Sequence, residues 1–193
     1  MSRRALLVVV TAAAVLASGF VVVTNSEGFW RGGFWRHRGE IPINWRVAGT
    51  IAYVELAPLP DPSKTVPGII IDIVAKGAPG KAKIKVIGIA DGIIQDPDLD
   101  CEGYPKLAFA EDDMVVTFED QSMLFATMDT TKKSFLCLQP PPQLALAHMI
   151  IFDGTGKYEG AEGHLTGTFQ GQQVGESGAL GAETGTIKGW IER

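Results

Sequence analysis

A two-residue alternation of apolar and polar side chains recurs along the chain from residue 45 and constrains its fold more than any other feature. In WRVAGTIAYVEL, which begins at Trp45, Val47 and Ile51 lie on the same face as that tryptophan. Alternation of this kind indicates strands with one buried and one solvated face. Turn-forming sequences such as KGAPGK and QPPPQ separate the alternating segments. After residue 24 the sequence contains no convincing amphipathic helix.

Eight or nine short strands without helices predict an all-β domain, either a closed antiparallel barrel or a sandwich. The 193 residues, of which 46% are hydrophobic and 20% charged, suit one such domain. We assign residues 45–193 to this domain and residues 25–44 to a linker rich in aromatic residues and arginine. Residues 1–24 are assigned to a signal peptide or signal-anchor helix.

The first residues have the character of an export signal. Arg3 and Arg4 precede residues 5–23, which carry no charge, and a short positive segment followed by an apolar one is typical of secretory signals. Small residues would permit cleavage after Ala17 or Gly19. The apolar run is also long enough for an uncleaved membrane anchor, since about 20 such residues span a bilayer. Both interpretations predict an exported domain, periplasmic or secreted.

The exported part of the chain is acidic. The sequence has 17 basic and 22 acidic residues, and removal of residues 1–24 leaves 15 basic and 22 acidic ones, a net charge of −7. A surface of this charge repels nucleic acid. We therefore expect no nucleic-acid partner, and the sequence leaves the oligomeric state open.

Two cysteines, Cys101 and Cys137, are present. In an oxidising compartment an even pair predicts one disulfide, although two separate buried thiols are the alternative. Neither cysteine belongs to a CxxC motif or lies at ligand spacing from a histidine, so a zinc site is not expected.

The segment GFWRGGFWRHR, residues 28–38, repeats the tetrapeptide Gly-Phe-Trp-Arg. Aromatic residues beside arginines are typical of segments that contact lipid headgroups, which predicts a membrane-surface contact. The alternatives are a mobile linker, or tryptophans that close one end of a barrel.

Glycines crowd the segment FDGTGKYEGAEGHLTGTF, residues 152–169. Residues 153–156 predict a tight turn, because glycine supplies the positive φ that such turns require. Gly160, Gly163 and Gly167 interrupt the strand pattern that follows, and isolated glycines in strands usually mark bulges, bends or close backbone approach.

This segment resembles the Gly-Gly-Thr-Gly-Lys-Phe-x-Gly-Ala-x-Gly stretch of dirigent proteins and of the allene oxide cyclase barrel-like family. The matching residues are 154–158, Gly160, Ala161 and Gly163, and Asp153 replaces the first glycine. The resemblance covers about residues 115–170. It implies an eight-stranded antiparallel barrel of calycin-like shape with an apolar cavity. Enzymes of this family cyclise a fatty-acid epoxide or orient phenolic radicals, and their catalytic residues have no match here.

The resemblance raises the expectation of a ligand cavity without establishing a reaction. The first hypothesis is a non-catalytic exported barrel that binds a small apolar ligand in its lumen. The second is an isomerase or cyclase of lipid-like or phenolic substrates, and the third is a membrane-tethered structural or partner-binding module. Whether the protein is an enzyme stays open.

Seven residues are predicted to contact the lumen or its mouth. In LALAHMIIF an inward His148 would be the proton carrier of the enzyme hypothesis, whereas a buried histidine bonded to a backbone carbonyl is the structural alternative. The predicted set is Phe118, Phe125, Leu146, His148, Ile150, Phe152 and Trp190.

Two other groups of polar residues are candidates for chemistry. Tyr158, Glu159, Glu162 and His164 surround the glycine-rich turn, where a carboxylate beside a histidine could act as acid and base, although a solvated rim is expected. The acidic residues in 96–100 match the first ligand positions of a calcium loop, but the required later glycine and glutamate are missing. We expect neither metal nor cofactor.

Overall fold

The computed structural model of the chain describes residues 39–57, 65–94, 101–174 and 179–193. The predicted signal or anchor, the aromatic segment 28–38 and the acidic residues 96–100 lie outside these ranges. Within them, every long element is a β-strand. The strands are β1 (Ile41–Leu56), β2 (Val66–Ala78), β3 (Ala82–Ile94), β4 (Lys106–Phe118), β5 (Met123–Met128), β6 (Phe135–Cys137), β7 (Gln143–Gly154), β8 (Glu162–Val174) and β9 (Leu180–Glu192), with a 3₁₀ turn at Gly156–Tyr158.

All strand pairs are antiparallel, and the sheet closes on itself. The strand order is β3-β2-β1-β9-β8-β7-β5-β4, and β3 also pairs with β4. The short strand β6 pairs with the same neighbours as β5, namely β4 and β7, so these two strands together occupy one position. The result is a closed eight-stranded barrel. The predicted barrel is confirmed, and the sandwich alternative is excluded.

Side chains alternate between the lumen and the outer surface, as the sequence pattern predicts. Odd-numbered residues of β1, β2, β7, β8 and β9 face inward, and so do the even-numbered residues along most of β3, β4 and β5. The largest fully buried side chains include Trp45, Ile73, Ile84, Leu124 and Ile151. Burial of each such side chain contributes about 1.5–3 kcal/mol, so the lumen wall is also the hydrophobic core.

Three aromatic side chains fill one end of the barrel, which we call the closed end. Trp45, Phe118 and Tyr158 are each at most 3% exposed. The ring of Phe118 lies 4.4 Å from that of Tyr158 and 6.0 Å from that of Trp45. The indole N–H of Trp45 donates to the carbonyl oxygen of Gly80 at 2.9 Å. Because the polar edge of the indole is bonded, this end is packed without an unpaired donor on that ring.

The glycine-rich segment forms the turn that delivers Tyr158 to the closed end. Gly156 and Gly160 have φ of 62° and 69°, a region in which residues with a Cβ are strained. The Asp153 carboxylate accepts the backbone N–H groups of Gly154 at 2.7 Å and Gly160 at 3.2 Å. A turn is thus present in the predicted segment, but it lies at residues 155–160 and not at 153–156, because β7 continues to Gly154. Its role in this structure is to close the barrel.

A disulfide joins Cys101 and Cys137, which confirms the pairing predicted from the sequence. The two cysteines and Phe135 form a small second core on the outer side of the wall, against which Leu144 and Leu146 pack. The bridge links the chain just before β4 to β6. By the loop-entropy argument, closing a loop of this length stabilises the fold by about 3–4 kcal/mol.

Candidate functional site

An enclosed apolar cavity lies in the lumen between the closed end and the opposite end, which we call the loop end because β1, β3 and β8 finish there. Its wall is mainly isoleucine, methionine and phenylalanine. The space that the centre of a water molecule can reach is about 50 Å³, equivalent to about three to five waters. Without movement of its wall, the lumen therefore accepts only a small molecule and not a drug-sized one.

Two carboxyl groups, those of Asp112 and Glu183, interrupt this apolar wall. Each residue is 4% exposed. Oδ1 of Asp112 and Oε2 of Glu183 have no hydrogen-bond partner among the residues that the structure describes. A buried polar atom without a partner is costly, and such atoms in native structures usually have a bound water, an ion or a functional role.

The barrel topology places the two carboxyl groups on opposite walls. Asp112 lies on β4 and Glu183 on β9, and three strand positions separate these strands in either direction around the eight-membered ring. Small neighbours leave room for both side chains. Gly88 is paired with Asp112, and a Cβ at Gly88 would collide with Oδ1 of the carboxyl. Glu183 is paired with Gly49 on one side and Gly171 on the other.

The apolar surroundings change the protonation of both groups. Burial, with a smaller effect of the neighbouring Asp113, raises the pKa of Asp112 from 3.8 to about 7. Burial alone raises the pKa of Glu183 from 4.5 to about 7. Water solvates a carboxylate far better than an apolar wall does, so the neutral acid is favoured. Near neutral pH each carboxyl can therefore donate a proton or accept one.

Tyr53 and Gln143 form a hydrogen bond near the loop end of the barrel. The Tyr53 hydroxyl donates to Oε1 of Gln143 at 3.3 Å and joins β1 to β7 across two intervening strands. Burial, and secondly the charge of Glu183, raise the pKa of Tyr53, so its hydroxyl stays protonated at neutral pH. The tyrosine is therefore a neutral donor beside an acidic residue.

The seven residues predicted to line the lumen are not brought together by the structure. Phe118 packs in the closed end. Leu146 reaches the cavity wall while it also packs against the disulfide cluster. The remaining five residues lie away from the cavity, on outward positions of β5, β7 and β9. They are Phe125, whose ring stacks on that of Phe152 at 6.5 Å, His148, Ile150, Phe152, which is 56% exposed, and Trp190, whose ring lies 5.4 Å from that of His164.

The difference on β7 is a shift of one residue in the alternation. LALAHMIIF is apolar on both faces, so its period does not specify which face is buried. In the structure Ala145, Ala147 and Met149 line the cavity, and the expected inward orientation of His148 is corrected to an outward one.

The backbone of His148 stabilises the break between β5 and β6. Its N–H donates to the Ser134 hydroxyl at 3.0 Å, and its carbonyl accepts the Asp129 N–H at 2.8 Å. Nδ1 of its ring lies 3.2 Å from the Thr166 hydroxyl. Burial lowers the pKa of this imidazole. These contacts are structural and lie outside the lumen.

Neither Asp112 nor Glu183 was predicted as a site residue, although the sequence contains a signal for each. Asp112 has the same parity as Met114 and Val116, and Glu183 has the same parity as Ile187. An acidic residue in phase with a buried face is unusual, because ionisable side chains are rarely buried without a partner. This parity test would have identified both.

The remaining polar candidates form no site. Tyr158 is buried in the closed end, whereas Glu159, Glu162 and His164 are exposed. In the described ranges, no group of three histidine, cysteine or acidic side chains is placed to hold a metal ion. No helix in those ranges is long and apolar enough to span a bilayer.

Comparison with solved structures finds a similarity to a dirigent protein. The solved structure of the pterocarpan synthase dirigent protein GePTS1 matches 88% of this chain and 97% of its own chain, with 15% sequence identity and a TM-score of 0.39. This match concerns dirigent proteins and gives no specific support to the resemblance to allene oxide cyclases. No protein-family profile and no curated protein matches the sequence. These values leave function to be argued from the site.

Proposed function

We propose that this protein is an exported barrel that binds one small, mainly apolar molecule in its lumen, without catalysing a reaction. The observation that carries the proposal is the enclosed apolar cavity with the unpartnered oxygens of Asp112 and Glu183 on its wall. A few polar groups in an apolar enclosure are the usual composition of a small-molecule site. If positions 112 and 183 served only stability, an apolar side chain would be favoured at both. A well-packed apolar side chain costs less than a buried carboxyl without a partner.

Isopentane tests this proposal. At pH 5 both carboxyls are protonated and the cavity is neutral, and the five non-hydrogen atoms of isopentane are at the upper limit of a space for about three to five waters. We expect saturating isopentane to raise the melting temperature of the protein by about 2–4 °C, since a ligand that binds only the folded state stabilises it. Differential scanning calorimetry in a sealed cell measures this shift.

Variants of two alanines show where the isopentane binds. Ala147 lines the cavity, and Ala147→Leu should fill it and abolish the shift. Ala48 is exposed on the outward face of β1, so Ala48→Leu should keep the shift. Equal shifts in both variants, or none in the natural protein, would contradict binding in the lumen.

Acid–base catalysis is a second candidate function, favoured by the raised pKa of both lumen carboxyls. Two groups that titrate near pH 7 on opposite walls could protonate one atom of a substrate and deprotonate another, as an isomerase or cyclase requires. Asp112 and Glu183 replace His148 in this hypothesis. Native mass spectrometry of a retained molecule separates the two functions: a binder returns it unchanged after incubation, and a catalyst returns an altered compound.

Export is a further part of the proposal, supported by the disulfide and by the apolar segment 5–23. We expect protein recovered from the periplasm or the medium to begin after residue 17 or 19. Its cysteines should resist alkylation until they are reduced. Intact mass spectrometry measures both properties. A full-length chain in the membrane fraction would favour the anchor instead, with residues 28–38 at the lipid surface.

A further inference from the structure

We infer that the lumen binds a small organic ammonium ion, with its charged group between Asp112 and Glu183 and its hydrocarbon part against the isoleucine wall. This inference rests on the proposed function, because it requires that the lumen accept a ligand. It adds the chemical class of that ligand.

The charge of the cavity wall favours a cationic ligand. In the described part of the chain, Asp112 and Glu183 are the only ionisable residues that line the cavity. The further titratable groups that act on them are Asp113 on the outer face and the neutral Tyr53 hydroxyl. An anion would meet two like charges without compensation. A cation would provide the opposite charge that both carboxylates lack.

The hydrogen-bonding capacity of the two carboxylates also favours an ammonium group. An ionised carboxylate only accepts, whereas an ammonium group carries three donors and no acceptor. An ammonium group in the cavity therefore carries enough donors for both Oδ1 of Asp112 and Oε2 of Glu183, the two atoms that have no partner among the described residues. A neutral alcohol has a single donor and could satisfy only one of them.

The space around the two acids also fits a compact charged group. Gly88 beside Asp112, and Gly49 and Gly171 beside Glu183, remove side chains next to each carboxyl. Elsewhere the wall carries Ile51, Ile71 and other large apolar side chains. Polar room next to the acids with hydrocarbon around it matches a ligand with one compact charged group and an apolar body. At about 50 Å³, with room for about three to five waters, the whole ligand has roughly three to five non-hydrogen atoms.

Three probes of equal size test the inference on the full exported chain, namely isobutylamine, isobutanol and isopentane. Isothermal titration calorimetry at pH 5.5 and 8.5 measures their dissociation constants. The amine stays protonated at both values, like a lysine side chain. A carboxyl with a pKa near 7 is about 3% ionised at pH 5.5 and about 97% ionised at pH 8.5. We therefore expect the affinity for the amine to rise at least 30-fold, about 30-fold for each carboxyl that must be ionised, because only the ionised state binds it well.

Variants locate the amine. At pH 8.5, Asp112→Asn and Glu183→Gln should each weaken amine binding at least tenfold while isopentane still binds. Glu111 is adjacent to Asp112 in sequence but exposed, so Glu111→Gln should leave amine binding unchanged. Isopentane binding also reports whether each variant is folded with an intact lumen.

The outcomes separate the inference from the proposed function. If isobutanol or isopentane binds as tightly as the amine at pH 8.5, or if amine affinity does not rise with pH, the lumen binds ligands but the cationic class is wrong. If the amine binds equally well to both carboxyl variants, its site is elsewhere and the inference fails. If none of the three probes binds, the inference and the proposed function fail together.

Discussion

Raising the pH from 4.5 to 8 is expected to destabilise this protein by several kcal/mol. Asp112 and Glu183 have pKa values near 7 in the folded protein, against 3.8 and 4.5 ordinarily. The folded state therefore binds more protons than the unfolded state in this interval. Stability is fully present below the unfolded pKa values and is lost as the pH rises through the folded ones. At 1.36 kcal/mol per pKa unit, the full effects are about 4 kcal/mol for Asp112 and about 3 kcal/mol for Glu183.

Urea unfolding at pH 5, 6, 7 and 8 measures this slope. The double variant Asp112→Asn, Glu183→Gln should lose most of the dependence, because both carboxyls that line the cavity are replaced by amides, which do not titrate. The difference between the natural protein and the variant cancels the surface carboxylates and His148, whose lowered pKa acts in the opposite direction. A natural protein whose stability stays constant or rises over this range would show that the lumen acids are ionised and solvated.

Tyr158→Ala should reduce the free energy of unfolding by about 4 kcal/mol, since deletion of a large buried aromatic ring costs about 3–5 kcal/mol. Tyr158 is 2% exposed, and its ring packs 4.4 Å from that of Phe118. The lost ring would leave the closed end unfilled, and the surrounding strands are hydrogen-bonded to each other and cannot collapse into the space. Equilibrium denaturation at one pH measures the effect.

Two matched variants complete the measurement. Tyr158→Phe keeps the ring and should cost less than about 1.5 kcal/mol, as volume-conserving substitutions do. Tyr104 is 41% exposed, and Tyr104→Ala should change stability by about 0.5 kcal/mol or less. A loss at Tyr158→Ala no larger than that at Tyr104→Ala would mean that the aromatic cluster does not stabilise the barrel.

The two predictions concern separate layers of the same lumen. The closed end is filled by buried aromatic side chains, and these residues stabilise the fold. The layer that contains Asp112 and Glu183 has unpaired polar atoms, glycine neighbours and residual space. Groups that cost stability and lie beside unfilled space are typical of a functional site. The proposals about ligands therefore concern the layer that contains Asp112 and Glu183.

The sequence was sufficient for the fold class and for several local features. Alternation in β1, β2 and β3 predicts strands and identifies their buried faces, because a one-residue slip would turn the apolar face of each strand outward. The disulfide followed from the cysteine count and the expected compartment, and a turn in the glycine-rich segment followed from glycine conformational preferences. Each of these features depends on interactions that are local in sequence or on composition.

The site depended on long-range geometry. On β7 both faces are apolar, so only pairing with β5 and β8 selects Ala147 for the lumen and His148 for the outer surface. Asp112 and Glu183 are 71 positions apart in sequence, and closure of the sheet alone places them across one cavity. Their raised pKa values arise from burial by strands distant along the chain. Local sequence patterns show neither that the sheet closes nor how far a side chain is removed from water. The tertiary structure was therefore needed to identify the two acids.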